Sequence, residues 1–245
     1  IQGQYDRCFT RNGGFTLLEL LTAMAILGVI VALLFTAFNS VSDVNMKTES
    51  KIEVNQVGRA VLQQIRNDIE VAVTMHNVST LHHVPGTILG GNMPADTLYI
   101  VADVLDNEIG GPTGLGYGID KIDDLNLHRW GLYRLRDPRP KIAAHPSEWW
   151  NFPSVSADWM SENVIGLRFQ FYTNSDPWAA SVDTWDGATI SNRLPYRVGI
   201  EVWLLDSTRY KQALAMDTNL TGVAEARVLT NAVKFSTVVF LPRST

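Results

Sequence analysis

Arg11-Asn12-Gly13-Gly14-Phe15-Thr16-Leu17-Leu18-Glu19 leads without a break into Leu20-Leu21-Thr22-Ala23-Met24-Ala25-Ile26-Leu27-Gly28-Val29-Ile30-Val31-Ala32-Leu33-Leu34-Phe35-Thr36-Ala37-Phe38. From Leu20 to Phe38 no residue is charged, and only Thr22, Gly28 and Thr36 interrupt the apolar side chains. A helix needs roughly 20 mostly apolar residues to cross a bilayer. A helix buried against a soluble core carries a polar stripe, and this one carries none. The segment therefore reads as membrane-spanning. A secretory signal places its small-residue cleavage site after the apolar run; here Gly13 and Gly14 precede it and Phe38-Asn39-Ser40-Val41 offers no such site, so the apolar helix is retained. Arg7 and Arg11 ahead of it favour a cytoplasmic N-terminus. Glu19, at the edge of the run, is by spacing alone either an interfacial charge or a charge kept for a partner.

Beyond Phe38 the helical pattern continues. Residues 39–72 contain no proline and only Gly58, and Val54, Val57, Val61, Ile65 and Ile69 recur at steps of three and four. The spacing predicts one helix from Phe15 to about Ala72, about 87 Å long at 1.5 Å per residue. Pro85, Gly86, Gly90, Gly91 and Pro94 then mark loops, and the period changes to two. Strands are predicted at Thr97–Ala102, Trp130–Leu135, Val164–Tyr172, the Val198/Ile200/Val202/Leu204 alternation and the Val233/Phe235/Thr237/Val239 alternation. With no helical pattern of any length between them, the fold class is α+β: a long N-terminal helix on an antiparallel sheet domain.

The chain has 245 residues, 46% hydrophobic and 18% charged, which excludes disorder and gives enough length for a real core. With 20 Lys+Arg against 25 Asp+Glu it is acidic, so no nucleic-acid partner is expected. A single cysteine, Cys8, excludes a disulfide framework and a thiolate zinc site.

The quoted N-terminal stretch resembles the cleavage and methylation segment of type IV prepilins and type II secretion pseudopilins. That signature is a glycine, a phenylalanine, a glutamate at the fifth mature position and then a spanning helix. The resemblance implies cleavage by a membrane prepilin peptidase between Gly14 and Phe15, N-methylation of Phe15, and pairing of Glu19 with the Phe15 amine of a neighbouring subunit. Four residues at 1.5 Å rise set Glu19 about 6 Å along the helix from that amine, and an opposite charge offsets the desolvation of a carboxylate in lipid. The family commonly has a basic residue directly before the glycine, whereas Arg11 is separated from Gly14 by Asn12 and Gly13. The chain begins at Ile1 rather than a methionine, so an incomplete leader or an alternative start codon is expected.

The resemblance divides the chain into a leader (1–14), a transmembrane part of the helix (15–38), a periplasmic part (39–75) and a periplasmic β-rich domain (76–245). Loss of residues 1–14 leaves 231 residues without cysteine and takes the formal charge from −5 to −6. More loosely, the helix end Arg59–Ile69, then Val164–Tyr172, a loop with Trp178 and Trp185, and Leu194-Pro195 leading into Arg197–Leu205 are similar in order to the J-type minor pseudopilin, and also to PilW-like minor pilins and Verru_Chthon cassette proteins. The K-type tip pseudopilin typically lacks the glutamate, so Glu19 points away from it. The resemblance implies a non-enzymatic subunit at the tip of a secretion pseudopilus in the bacterial inner membrane. Its partners would be I-, K- and H-like minor pseudopilins, the major pseudopilin, the prepilin peptidase and membrane lipid. A minor type IV pilin is the alternative, and a pilin-anchored periplasmic enzyme a remote one.

Gly110-Gly111-Pro112-Thr113-Gly114-Leu115-Gly116-Tyr117-Gly118 lacks the strand and helix a phosphate cradle needs and reads as a flexible loop. His82 and His83 read as solvated loop histidines; adjacent on a strand they would face opposite sides. Asp176, Asp183 and Asp186 are oxygen donors of the kind calcium takes, without the spacing of a known loop, so no cofactor is expected and calcium is the one cation they would suit. No G-x-S-x-G or other nucleophile arrangement stands out. Trp149, Trp150, Trp159, Trp178 and Trp185 fall in or near loops, where an aromatic either anchors a partner or packs into the core.

Overall fold

The computed structural model describes residues 16–74, 80–103, 112–124, 127–137, 156–176, 178–186, 193–216 and 220–241. The chain forms two compact units, one ending at Glu49 and the other starting at Ser50. One helix, α1 (Leu17–Glu70), of 54 residues and about 81 Å, runs through both. In the first unit its apolar side chains, Leu20 to Phe38 among them, are exposed. In the second it buries Val54, Gly58, Val61, Ile65, Asp68 and Ile69, a stripe at steps of three and four. The helix stops where its backbone is captured by a strand: Val73 donates to the carbonyl of Val101 at 2.9 Å, and Ala72 bridges to Ala102.

Among the described residues ten strands follow: β1 (Leu81–Val84), β2 (Thr87–Ile88), β3 (Met93–Pro94), β4 (Thr97–Ala102), β5 (Thr113–Asp124), β6 (Leu127–Asp137), β7 (Ser156–Ser161), β8 (Val164–Tyr172), β9 (Arg197–Leu204) and β10 (Val233–Phe240). They form a five-stranded sheet in the order β1-β4-β5-β6-β7, a three-stranded sheet β10-β9-β8 and the small pair β2-β3, with every strand pairing antiparallel. The α+β, antiparallel expectation holds. β4 and β8 coincide with the predicted spans, and the other three predicted strands fall in β6, β9 and β10.

Leu98, Ile100, Leu115, Tyr117 and Leu132 of the larger sheet share one buried cluster with Leu167, Phe169, Phe171, Ile200 and Val202 of the smaller sheet and with the α1 stripe. Asp96 stitches the two sheets: its N–H donates to the Leu167 carbonyl at 2.9 Å, and its carboxylate accepts the Phe169 N–H at 2.9 Å. Beneath α1, Asp68 accepts from Arg134 of β6 (Nη2 at 2.7 Å, Nε at 2.8 Å) and from the Tyr117 hydroxyl of β5, so one carboxylate ties the helix to two strands. Burial, then the adjacent Asp68 charge, push the Tyr117 phenol well above its ordinary pKa.

Three readings of the sequence are corrected. Two helices, α2 (Ser207–Met216) and α3 (Gly222–Asn231), do lie between β9 and β10. Their apolar sets are short, Tyr210/Ala213/Leu214 on one and Ala224/Val228 on the other, so over ten residues each they leave little periodic signal. Asp206 starts α2 by accepting the Arg209 N–H at 2.8 Å.

The glycine-rich stretch, where described, is not a loop. Gly114, Gly116 and Gly118 alternate along β5. A Cβ on Gly116 would come within 2.9 Å of the Tyr99 ring and 3.1 Å of Leu135, and one on Gly118 would meet Tyr133, so these glycines make room for side chains from the flanking strands. Residues 110–111 lie outside the described residues.

His82 and His83 sit on β1 rather than in a loop, and they do face opposite sides. His83 is buried against Phe169 and Phe171, with Nε2 3.2 Å from Asp96. His82 stacks on Tyr99, with Nδ1 3.7 Å from Asp186.

Candidate functional site

The first helical turn is built by two side chains. The Thr16 N–H donates to Glu19 Oε2 at 2.9 Å, the Thr16 hydroxyl donates to the same oxygen at 3.0 Å, and the Glu19 N–H donates back to Thr16 Oγ1 at 3.3 Å. This is a capping box, in which an N-cap Thr and a Glu three residues on satisfy each other's otherwise unpaired amides. Thr16-x-x-Glu19 ahead of an apolar run is the sequence signature of that box. Spacing alone leaves Glu19's role open and gives Thr16 none; the reciprocal bonds give both a place in the first turn.

The requirement that every polar group in lipid be satisfied locally is met further along the helix. Thr22 Oγ1 lies 3.0 Å from both the Leu18 and the Glu19 carbonyls, and the Thr36 hydroxyl donates to the Ala32 carbonyl at 2.9 Å. Gly28 has open space where a Cβ would stand. Helix α1 is long and apolar enough to cross a membrane, and its apolar portion is exposed along its length. Such a helix carries the Glu19 carboxylate, bonded to Thr16, at the head of an exposed apolar surface of the kind that lipid or other helices cover. Gly14 and Phe15, the predicted cleavage and methylation pair, lie outside the described residues.

The remaining candidates are dispersed. Asp176 accepts the Trp178 N–H at 2.9 Å, Asp183 is exposed and Asp186 faces His82. Among the described residues, no group of three or more His, Cys, Asp or Glu side chains is arranged to hold a metal ion. Trp185 is buried beside Phe171 and donates to the Arg193 carbonyl at 3.2 Å, a core role. Trp159 packs edge-on against Tyr133, Trp178 is 92% exposed, and Trp149 and Trp150 lie outside the described residues.

No curated protein and no solved structure matches the chain. Residues 9–35 match the prokaryotic N-terminal methylation motif, a span of 27 residues that takes in Gly14, Phe15, Thr16 and Glu19. The chain therefore opens with a type IV pilin-like signal, followed by a long apolar helix.

Proposed function

We propose that this chain is a minor pseudopilin of the J type, a structural subunit at or near the tip of a type II secretion pseudopilus. Prepilin peptidase cuts it after Gly14 and methylates Phe15. The helix then holds it in the bacterial inner membrane with the β-rich domain in the periplasm. The subunit catalyses nothing and supports export by assembling with I-, K- and H-like minor pseudopilins and the major pseudopilin. The observation that carries this reading is the coincidence at one point of the methylation motif and the Thr16–Glu19 box: the motif's glutamate is the residue that caps the exposed apolar helix. In the isolated subunit Thr16 satisfies that carboxylate. On assembly, Glu19 takes the methylated Phe15 amine of a neighbour, an ion pair that offsets its desolvation in lipid.

Crosslinking mass spectrometry on native membranes, scoring both the mature N-terminus and the crosslinked partners, tests it. A chain beginning at methylated Phe15 and linked to I- and K-like pseudopilins is the expected result. Links to a major pilin would move the chain to the tip of a surface pilus, and an unprocessed chain without filament partners would overturn both assignments.

A further inference from the structure

Helices α2 and α3 pack against each other, and Arg209, Gln212, Arg227 and Asn231 line an open cleft of about 210 Å³ between them. Arg209 is fixed in place. Its Nε lies 3.1 Å from Asp206, and its Nη1 donates to Asn231 Oδ1 at 2.8 Å. Asn231 is held in turn by its bond to the Arg227 carbonyl at 2.7 Å. Among the described residues those contacts leave the Nη2 edge of Arg209 unused, because a guanidinium carries five N–H groups. Among the described residues nothing pairs with the Arg227 guanidinium. Two guanidiniums thus line one cleft, Arg209 pre-oriented and partly neutralised by Asp206, Arg227 supplying the remaining positive charge. A cleft with this residual positive charge and open guanidinium edges favours an oxyanion, and guanidinium binds carboxylates by paired, charge-assisted bonds.

The same two helical stripes carry apolar residues. On α2, Arg209, Gln212 and Met216 follow at steps of three and four; on α3, Val223, Arg227 and Asn231 follow at steps of four. Met216 and Val223 are 47% and 67% exposed, and a five-residue connection joins the helix ends that carry them. A cleft this open leaves a free small anion largely in water, whereas small-molecule sites enclose most of their ligand. It suits an anionic group held by a larger partner, with an apolar contact beside it. We propose that the α2–α3 cleft receives a carboxylate side chain of a partner polypeptide, whose neighbouring apolar residue rests on Met216 and Val223. The inference does not rest on the filament reading.

The full chain in neutral detergent micelles, labelled with [15N]arginine, is titrated with a capped peptide of two aspartates flanked by leucines and with its asparagine counterpart, following the side-chain Nε–Hε signals. Saturable shifts confined to Arg209 and Arg227 are expected with the acidic peptide, with affinity at least about tenfold weaker for the asparagine peptide. Arg227→Gln, read on the Arg209 signal, is expected to weaken binding by about tenfold or more, and Arg227→Lys by less, because the charge remains but the fork is lost. Both side chains are exposed surface groups, and an unchanged thermal midpoint confirms that the variants fold. Met216→Ser with Val223→Ser is expected to weaken the acidic peptide several-fold. Equal shifts at Arg59, Arg66 and Arg168, equal binding of the asparagine peptide, or no shift at millimolar peptide would each overturn the proposal. So would saturation by acetate or phosphate at the peptide's own concentration, which would mark a free-anion site instead.

Discussion

Arg134 Nη2 lies 2.7 Å from Asp68 Oδ2 in a site where both residues are less than a tenth exposed, and the pair joins α1 to β6 of the five-stranded sheet. A buried pair of this kind need not add net stability over an apolar pair of the same volume, but removing one partner strands the other.

Asp68→Ala is therefore expected to destabilise the β-rich unit by about 3–5 kcal/mol. The double variant Asp68→Leu/Arg134→Met is expected to cost less than that single change. Urea unfolding of the full chain in detergent, followed by near-ultraviolet circular dichroism, measures both; a single variant as stable as the parent would show that Arg134 finds other compensation.

High pH should unfold the domain through its buried phenols. Burial, with a smaller contribution from Tyr133, raises Tyr99 to about 12, and Tyr117 is raised further. In the unfolded chain both release their protons near the ordinary value of 10. Their contribution is thus complete below about pH 10 and is lost as pH rises towards and through the folded values. Urea midpoints should fall between about pH 10 and 12, and Tyr117→Phe should flatten part of that fall. A midpoint constant across this window would contradict it.

Gly116→Ala is expected to cost about 1–3 kcal/mol, since the added methyl lands 2.9 Å from the Tyr99 ring and 3.1 Å from Leu135. Pairing it with Tyr99→Ala should recover part of the loss to a degree that simple addition of the two single changes would not give. Thermal unfolding of the four-member cycle tests this.

Thr16→Ala removes both bonds of the Thr16 hydroxyl while keeping the backbone N–H bond to Glu19, and should loosen the first turn of α1 by about 0.5–2 kcal/mol. Hydrogen exchange at the Leu17–Leu20 amides should accelerate by about 2- to 30-fold, with exchange beyond Thr36 unchanged. Uniform acceleration along the helix would mean that the box does not act locally.

What the sequence revealed tracks how repetitive each physical signal is. The long helix was legible because 19 uncharged residues and then a stripe at three and four leave no other period, and it ends within two residues of the prediction at both ends. β8 and β9 were legible because they alternate cleanly; β1 was not, because its four residues include two histidines on opposite faces. β5 was hidden by composition. Its glycines mark turns in most contexts, and only the positions of Tyr99, Tyr133 and Leu135 on neighbouring strands turn them into strand residues. At the N-terminus the motif around Glu19 was plain, while the role of Thr16 rested on a four-residue pattern that acquires meaning once the hydrogen bonds are seen.

Leu204 and Val233 are directly opposed across β9 and β10, so everything between them leaves the sheet and returns to the rung it left. The 28 residues of that excursion, α2 and α3 included, can change in length or surface without moving the register of the strands, provided that Tyr210, Leu214 and Val228 still cover the core. The excursion can thus vary its surface chemistry while the hairpin that carries it stays the same.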